Sequence, residues 1–291
     1  DRIVKRFLRV IFAGWAEGSI AEQRARQGKA SRFVPPAHGC KRQSVVIDGV
    51  AGEWFLPVAP GAGVILYLHG GAYVVGSVAS HREFLVRLAN ATRAKVLAIE
   101  YRLAPEHPFP AALDDAVSAY RWLLTQGLSP ADLLLAGDSA GGGLALAALL
   151  ALRDEGAPLP AGAICLSPWV DLALTGASVR EKAHLDPILT APSLEKCARL
   201  YAAGHALTAP LISPLYAALD GLPPLLILAG TDEILADDAS RIAANARLAG
   251  VAVTLEVWEG LFHVFPITPF LPESREALAR IAAFVTEALR R

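Results

Sequence analysis

The chain has 291 residues, of which 54% are hydrophobic and 19% charged, and its formal net charge is −1 at pH 7. This length suits a single α/β domain with a large buried core, and the near-neutral charge gives no electrostatic reason to expect nucleic acid or an anionic membrane as a partner. No apolar run reaches the roughly 18 residues of a membrane-spanning helix. The three widely spaced cysteines match neither a metal site nor an even set of disulfides, which suits a reducing cytoplasm.

Predicted strands and helices alternate along most of the chain, after an N-terminal part, residues 1–40, that we predict as polar-faced helices. The first residues are basic and then apolar, but Lys5, Arg6 and Arg9 interrupt them, which favours an amphipathic helix over a signal peptide. The alternation predicts a mainly parallel, doubly wound sheet. The predicted strands are 45–48, 53–57, 64–68, 95–100, 133–136, 163–166, 225–229 and 251–258. The predicted helices among them are 80–91, 111–126, 140–155, 233–248 and 273–289.

The predicted strand 64–68 leads into the sequence HGGAY at 69–73. Two consecutive glycines let backbone N–H groups approach a carbonyl oxygen without a Cβ in the way. Gly70 and Gly71 are therefore candidate oxyanion donors. Tyr73, which follows them, is a candidate wall of a substrate pocket, with aromatic packing as the alternative.

The segment Gly137-Asp138-Ser139-Ala140-Gly141 follows an apolar strand and opens into a helix rich in small residues. A G-x-S-x-G sequence at such a junction is typical of a nucleophile elbow, in which the glycines allow a tight turn and the serine projects above the sheet. The helix that begins there directs N–H groups and its positive end at the same point. We therefore predict Ser139 as a nucleophile and the N–H of Ala140 as a third oxyanion donor.

Residues 168–219 interrupt the alternation of strands and helices. They are rich in leucine, alanine and proline, and more than fifty residues between two strands is far longer than an ordinary connection. We predict a cap that covers Ser139 together with residues 1–40, against the alternative of a surface excursion away from the site. The core of the fold then comprises residues 41–167 and 220–291.

A serine nucleophile needs a base and a carboxylate that orients this base, and Asp232 is the first carboxylate after the predicted buried strand 225–229. A carboxylate at the carboxyl end of a parallel strand can reach an imidazole, so we predict Asp232 as the acid. Three other carboxylates compete. Glu233 is more naturally a first-turn residue of the next helix, where negative charge favours the helix dipole, and Asp237 and Asp238 lie one turn further along.

The base is expected near the C-terminus, because the chain order of hydrolases with a nucleophile elbow is serine, acid, histidine. Three histidines follow Ser139. His263 lies just after the predicted strand 251–258, whereas His184 and His205 fall in the inserted region. We therefore predict His263 as the base.

Several motifs occur together in one order: HGGAY at 69–73, YRLAPE at 101–106, GDSAGG at 137–142, DEIL at 232–235 and FHVF at 262–265. In this combination the chain resembles the bacterial hormone-sensitive-lipase-like carboxylesterases, from about residue 60 to the C-terminus. The resemblance implies an α/β-hydrolase fold, with a mainly parallel eight-stranded sheet flanked by helices, a helical cap and a preference for short acyl chains. The site residues that it implies are the triad Ser139, Asp232 and His263 and the oxyanion donors Gly70, Gly71 and Ala140.

These features predict a serine carboxylesterase that hydrolyses short- to medium-chain acyl esters through an acyl-enzyme. Its partner is a small-molecule ester, and neither a metal nor an organic cofactor is expected. The alternatives are an amidase or peptidase with the same triad and a ligand-binding protein on a hydrolase scaffold. The second is disfavoured because all three triad positions are filled. A homodimer through the edge strand 251–258 is suggested by the resemblance alone.

Overall fold

The structure is a computed structural model that describes residues 4–5, 8–9, 18–30 and 37–290. Of the predicted N-terminal cap helices, it contains the helix α1 (Ile20–Ala30) and helical conformation at residues 4–5 and 8–9. The remainder of that prediction, in the gaps between these stretches, lies outside the described residues. Among the described residues no helix is both long enough and apolar enough to cross a membrane.

Within the described residues, eight strands form one sheet in the order β1-β2-β4-β3-β5-β6-β7-β8. The pairs β1–β2 and β2–β4 are antiparallel and the other pairs are parallel. Each strand overlaps a predicted one, although β1 begins at Cys40 rather than at residue 45, so the predicted mainly parallel sheet is confirmed. The strands are β1 (Cys40–Ile47), β2 (Val50–Pro57), β3 (Val64–Leu68), β4 (Lys95–Ile99), β5 (Leu133–Asp138), β6 (Gly162–Leu166), β7 (Leu225–Gly230) and β8 (Val253–Trp258).

Helices cover both faces of this sheet, which is why the central strands β3 to β7 are apolar over most of their length. Successive side chains of β3 alternate between two hydrophobic clusters. Leu66 lies in one with the helices 111–125 and 140–154, and Ile65 lies in the other with the helices 78–92 and 272–288. The helices after α1 are α2 (Val78–Thr92), α3 (Ala111–Thr125), α4 (Ala140–Asp154), α5 (Ser178–Glu181), α6 (Ala191–Ala202), α7 (Ala236–Leu248) and α8 (Pro272–Ala288).

The predicted insertion 168–219 contains α5, α6 and a short 3-10 turn, Pro214–Tyr216. The helix α6 begins after Thr190, whose hydroxyl accepts a hydrogen bond from the backbone N–H of Ser193. Its buried side chains recur at the helical period, and they join the hydrophobic cluster of α3 and α4. The insertion is therefore packed onto the core through one apolar helix face.

Candidate active site

The turn between β5 and α4 places Ser139 in a strained conformation. Its φ of 53° and ψ of −121° lie outside the favourable regions for a residue with a side chain. The neighbouring glycines are required, because a Cβ on Gly141 would lie 2.0 Å from the carbonyl oxygen of Leu68, and one on Gly137 would lie 2.3 Å from that of Gly141. The backbone N–H of Ser139 donates to the carbonyl of Leu166 on β6. The elbow is thus built as the G-x-S-x-G sequence predicts.

The loop after β8 brings His263 to this serine. The Nε2 atom of His263 lies 2.9 Å from Oγ of Ser139, although 124 residues separate them in the chain. The loop is anchored by Ser167, whose Oγ accepts a hydrogen bond from the N–H of Val264. The predicted nucleophile and the predicted base therefore contact each other directly.

The carboxylate against His263 belongs to Glu233 and not to Asp232. Oε2 of Glu233 lies 2.5 Å from Nδ1 of His263, and its Oε1 accepts hydrogen bonds from Oγ of Ser167 and from the N–H of Gly230. Asp232 instead pairs with Nζ of Lys5, at 2.5 Å. The prediction of Asp232 as the acid is wrong, and the arrangement is a serine–histidine–glutamate chain.

The prediction of Asp232 fails because α7 begins later than expected. The predicted helix 233–248 begins only at Ala236, so that Glu233 lies in a turn before it. Asp186, a residue of the insertion 168–219, fixes this turn, because its carboxylate accepts a hydrogen bond from the N–H of Ile234. A usable signal was present in the sequence, because Asp237 and Asp238 together are the acidic first turn of a helix that begins at 236.

The other two competing carboxylates hold the insertion rather than the base. Asp237 accepts a hydrogen bond from the N–H of Ser178, and Asp238 accepts from the N–H groups of Val170 and Asp171. Both therefore fasten the start of α7 to residues 168–219, and neither contacts His263.

The electrostatic surroundings of His263 favour its charged form. Burial opposes a charged imidazole, but the hydrogen bond and charge of Glu233, with the charges of Asp186 and Asp138, outweigh it and raise the pKa of His263 above its ordinary value. The apolar residues on either side of His263 in the sequence would by themselves favour a neutral ring, and the neighbouring carboxylates outweigh them. An imidazolium that forms when His263 accepts a proton from Ser139 is stabilised by these carboxylates.

The loop 69–73 supplies a different set of free N–H groups from the predicted one. The N–H of Gly70 donates to Oδ1 of Asp138 at 2.9 Å, so it is already engaged, and its prediction as an oxyanion donor is contradicted. Within the described part of the chain, the N–H groups of Gly71, Ala72 and Ala140 have no hydrogen-bond partner. Gly71 and Ala140 therefore stay candidate donors, and Ala72 joins them.

Tyr73 packs against the insertion rather than lining an open pocket. Its side chain is only 1% exposed, and its ring stacks on that of Tyr201 in α6, with centroids 3.7 Å apart. The ring of Trp169 packs at a tilt beside it. The prediction of Tyr73 as a substrate-binding wall is contradicted, and the alternative of aromatic packing describes it.

The segments predicted as a cap contact the elements that carry the site. Arg9 donates to the carbonyl of His184 in the insertion, and Lys5 pairs with Asp232 in the turn of Glu233. In α1, Arg24 donates to the carbonyl of Val74, just after the loop 69–73. The serine and the histidine are correspondingly buried, at 7% and 2% exposure.

Comparison with known proteins identifies the family. A family model described as alpha/beta hydrolase fold matches residues 65–267. The chain belongs to this α/β-hydrolase family. An acetyl-hydrolase of Streptomyces hygroscopicus is 46% identical to it over 270 residues, which cover 92% of this chain and 89% of the relative. An esterase of Acinetobacter venetianus is 37% identical over 257 residues, with 88% and 85% covered.

Solved structures narrow the family to one group of α/β hydrolases. An esterase from the bacterial hormone-sensitive lipase family superposes with a TM-score of 0.94 at 42% identity, and the match covers 98% of both chains. An esterase/lipase from an uncultured bacterium gives 0.92 at 40% identity, covering 99% of this chain and 98% of the other. The predicted resemblance, the α/β-hydrolase fold and the assignment as a carboxylic ester hydrolase are confirmed.

Proposed function

We propose that the protein hydrolyses short- to medium-chain carboxylic esters through an acyl-enzyme on Ser139, with His263 as the base and Glu233 as the carboxylate that orients it. The observation that carries this proposal is the continuous hydrogen-bonded chain of the three side chains, at 2.9 Å and 2.5 Å. Nucleophile, base and orienting group in hydrogen-bond contact form the arrangement that activates a serine hydroxyl.

The first half of the reaction forms the acyl-enzyme. Oγ of Ser139 attacks the ester carbonyl carbon while Nε2 of His263 takes its proton. The buried Glu233 holds the other ring nitrogen, Nδ1, as a donor, so that Nε2 is the acceptor, and it stabilises the imidazolium. The N–H groups of Gly71, Ala72 and Ala140 bind the tetrahedral oxyanion.

His263 then gives its proton to the leaving alkoxide as the carbon–oxygen bond breaks, which leaves Ser139 acylated and completes the first half. The second half regenerates the enzyme. Water then attacks the acyl carbon while His263 again takes a proton. His263 returns this proton to Oγ of Ser139 as the bond between Oγ and the acyl carbon breaks, and the carboxylic acid and free serine are released. Each step draws only on groups of the chain, so the proposal includes neither a metal nor an organic cofactor.

A short acyl group is supported by two observations. The relative from Streptomyces hygroscopicus is called an acetyl-hydrolase. The reacting serine is also largely buried beneath neighbouring segments, so that a long chain must displace protein side chains to enter. Each CH₂ that the pocket does accommodate gains up to about 0.8 kcal/mol. We therefore expect kcat/KM to rise from acetate towards butyrate or hexanoate and then to fall.

The experiment is a series of p-nitrophenyl esters with acyl chains from acetate to palmitate, assayed with the native protein and with Ser139→Ala. The proposal expects a maximum at short chains and loss of hydrolysis in the folded variant. A kcat/KM that stays level through palmitate contradicts the short-chain assignment. Full activity of Ser139→Ala contradicts the nucleophile.

Amide hydrolysis is the second candidate, because the name acetyl-hydrolase gives the group that is removed but not the bond that is cleaved. The same three side chains serve both reactions, since an amine can leave by accepting the proton from His263. Comparing p-nitrophenyl acetate with p-nitroacetanilide decides between them. A kcat/KM for the anilide equal to or above that for the ester assigns the protein as an amidase.

The cytoplasmic location and the homodimer stay predictions. The dimer has one supporting observation: β8 stands at one end of the sheet, and Val257 on it is 43% exposed. An unpaired edge strand of this kind is a ready surface for pairing with a second copy.

A further inference from the structure

The carboxylate of Asp138 is buried beside the reacting serine, but the chemistry proposed above does not use it. Only 3% of the residue is exposed. Its Oδ1 accepts hydrogen bonds from Oη of Tyr67 at 2.7 Å and from the N–H of Gly70 at 2.9 Å. Nε2 of His81 lies 3.3 Å from the same carboxylate. Burying a carboxylate costs free energy unless it is paired and hydrogen-bonded, and three partners are placed here to offset that cost.

The carboxylate also explains why residue 70 is glycine. A Cβ on Gly70 would lie 2.1 Å from Oδ2 of Asp138 and 3.0 Å from its backbone oxygen. The absence of a side chain at Gly70 therefore lets the carboxylate reach the backbone of the loop 69–73. This is a different role from the donor role that the sequence suggested for this glycine.

The bond between Gly70 and Asp138 connects two parts of the site. Within the described residues, it is the one hydrogen bond that joins the loop 69–73 to the elbow 137–141. Two other hydrogen bonds connect the loop to residues 101–104 and not to the elbow. Oη of Tyr101 donates to the carbonyl of His69, and the N–H of Ala104 donates to the carbonyl of Tyr73. The two unengaged N–H groups, of Gly71 and Ala72, come directly after the anchored residue.

The charge of Asp138 is balanced locally. His81, the nearest base, is buried, which opposes its charged form, yet Asp138 and the smaller contribution of Glu100 raise its pKa above the ordinary value. Burial likewise opposes a charged Asp138, but His81, Tyr67 and Gly70 together lower its pKa. The ring of His69 is kept neutral, because burial lowers its pKa to about 4. Asp138 is thus held as a carboxylate, and hydrogen bonds to a charged acceptor are the stronger kind.

We propose that Asp138 is a positioning residue for the oxyanion site: by binding the N–H of Gly70, it sets the distance between Ser139 and the N–H groups of Gly71 and Ala72. A carboxylate cannot stabilise the negative charge of an oxyanion directly, whereas anchoring the loop explains its position. The inference rests on the proposed function, since it assumes that these N–H groups bind the oxyanion.

The test compares Asp138→Ala with Asp138→Asn, using p-nitrophenyl acetate. Displacing oxyanion donors by a fraction of an ångström lowers kcat by about 10²-fold in Asp138→Ala, while KM stays within about threefold. Asp138→Asn keeps an acceptor oxygen for the N–H of Gly70, and it retains kcat to within about tenfold. In Asp138→Ala, the inhibition constant of a trifluoromethyl ketone, which forms a tetrahedral adduct, rises by about the same factor as kcat falls. The inhibition constant of the matching methyl ketone stays unchanged.

Two further variants separate positioning from general stability. Asp115→Asn is the matched control: this carboxylate is also buried, and it accepts from the backbone N–H and the guanidinium of Arg102. Its kcat is expected to be unchanged. Gly70→Ala breaks the same contact from the loop side, so it reproduces the loss of kcat at constant KM even where Asp138→Ala does not fold.

The inference is overturned by a folded Asp138→Ala protein whose kcat and ketone inhibition are those of the wild type, or by Asp138→Asn being as slow as Asp138→Ala. Ser139→Ala is measured in the same series. If Ser139→Ala is active, the proposed function itself has failed. If it is inactive while Asp138→Ala works normally, only the role of Asp138 is lost.

Discussion

Replacing Glu233 with glutamine tests which carboxylate orients the base. In the structure, Oε1 of Glu233 accepts hydrogen bonds from Ser167 and from the N–H of Gly230, while Oε2 faces Nδ1 of His263. A glutamine amide has only one acceptor oxygen, and the two donors hold it at the Oε1 position. The amide NH₂ then faces Nδ1, which must become the acceptor. The ring proton is forced onto Nε2, towards Ser139.

In that tautomer His263 cannot take the proton of the serine hydroxyl. Trapping the histidine of a serine hydrolase in this form lowers kcat by about 10⁴-fold, and removing the acid alone costs a similar factor. We therefore expect Glu233→Gln to lower kcat by about 10³–10⁴-fold, which corresponds to about 4–5.5 kcal/mol in the activation barrier. KM is expected to change little, since the substrate does not contact Glu233.

The assay is kcat and KM for p-nitrophenyl acetate, with folding checked by circular dichroism and urea unfolding. Asp232→Asn is the matched control, because it makes the same chemical change in the neighbouring residue of the same turn. Asp232 contacts Lys5 and Thr231 and is partly exposed, so its loss is expected to cost at most about 1 kcal/mol of stability. An inactive Asp232→Asn with an active Glu233→Gln would refute this reasoning.

Three other outcomes follow from the site. For the wild type, kcat/KM rises with pH through an apparent pKa above the usual value of His263, because the base must be neutral and the carboxylates around it raise its pKa. Asp186→Asn removes one of these charges and should move this rise in kcat/KM to lower pH. A rise at an unchanged pH contradicts the electrostatic account. Gly141→Ala places a Cβ 2.0 Å from a main-chain oxygen and should lower the free energy of unfolding by at least about 1–3 kcal/mol. Gly28→Ala, on open helix surface, should not lower it, and urea unfolding compares the two. Adding His263→Ala to Ser139→Ala should cost little further activity, because the two residues act as a unit; a multiplicative loss in kcat would show that they do not.

The sequence alone determined the parts of the protein that depend on short stretches of backbone. Buried parallel strands need continuous apolar runs, and the strands β3 to β7 are visible in the sequence as such runs. The elbow needs glycine where a Cβ would strike the main chain, and this requirement identifies Ser139 between Gly137 and Gly141. His263 followed from chain order and from its place after the last strand.

Only the tertiary structure decided which of several adjacent groups reaches the site. Asp232 and Glu233 are neighbours with the same charge, and the turn that aims one at His263 is held by Asp186, 48 residues before the N–H that it binds. The N–H of Gly70 is taken by Asp138, 68 residues away. Local patterns report backbone conformation, but the direction of a side chain and the partner of an N–H group depend on segments that are distant in the chain.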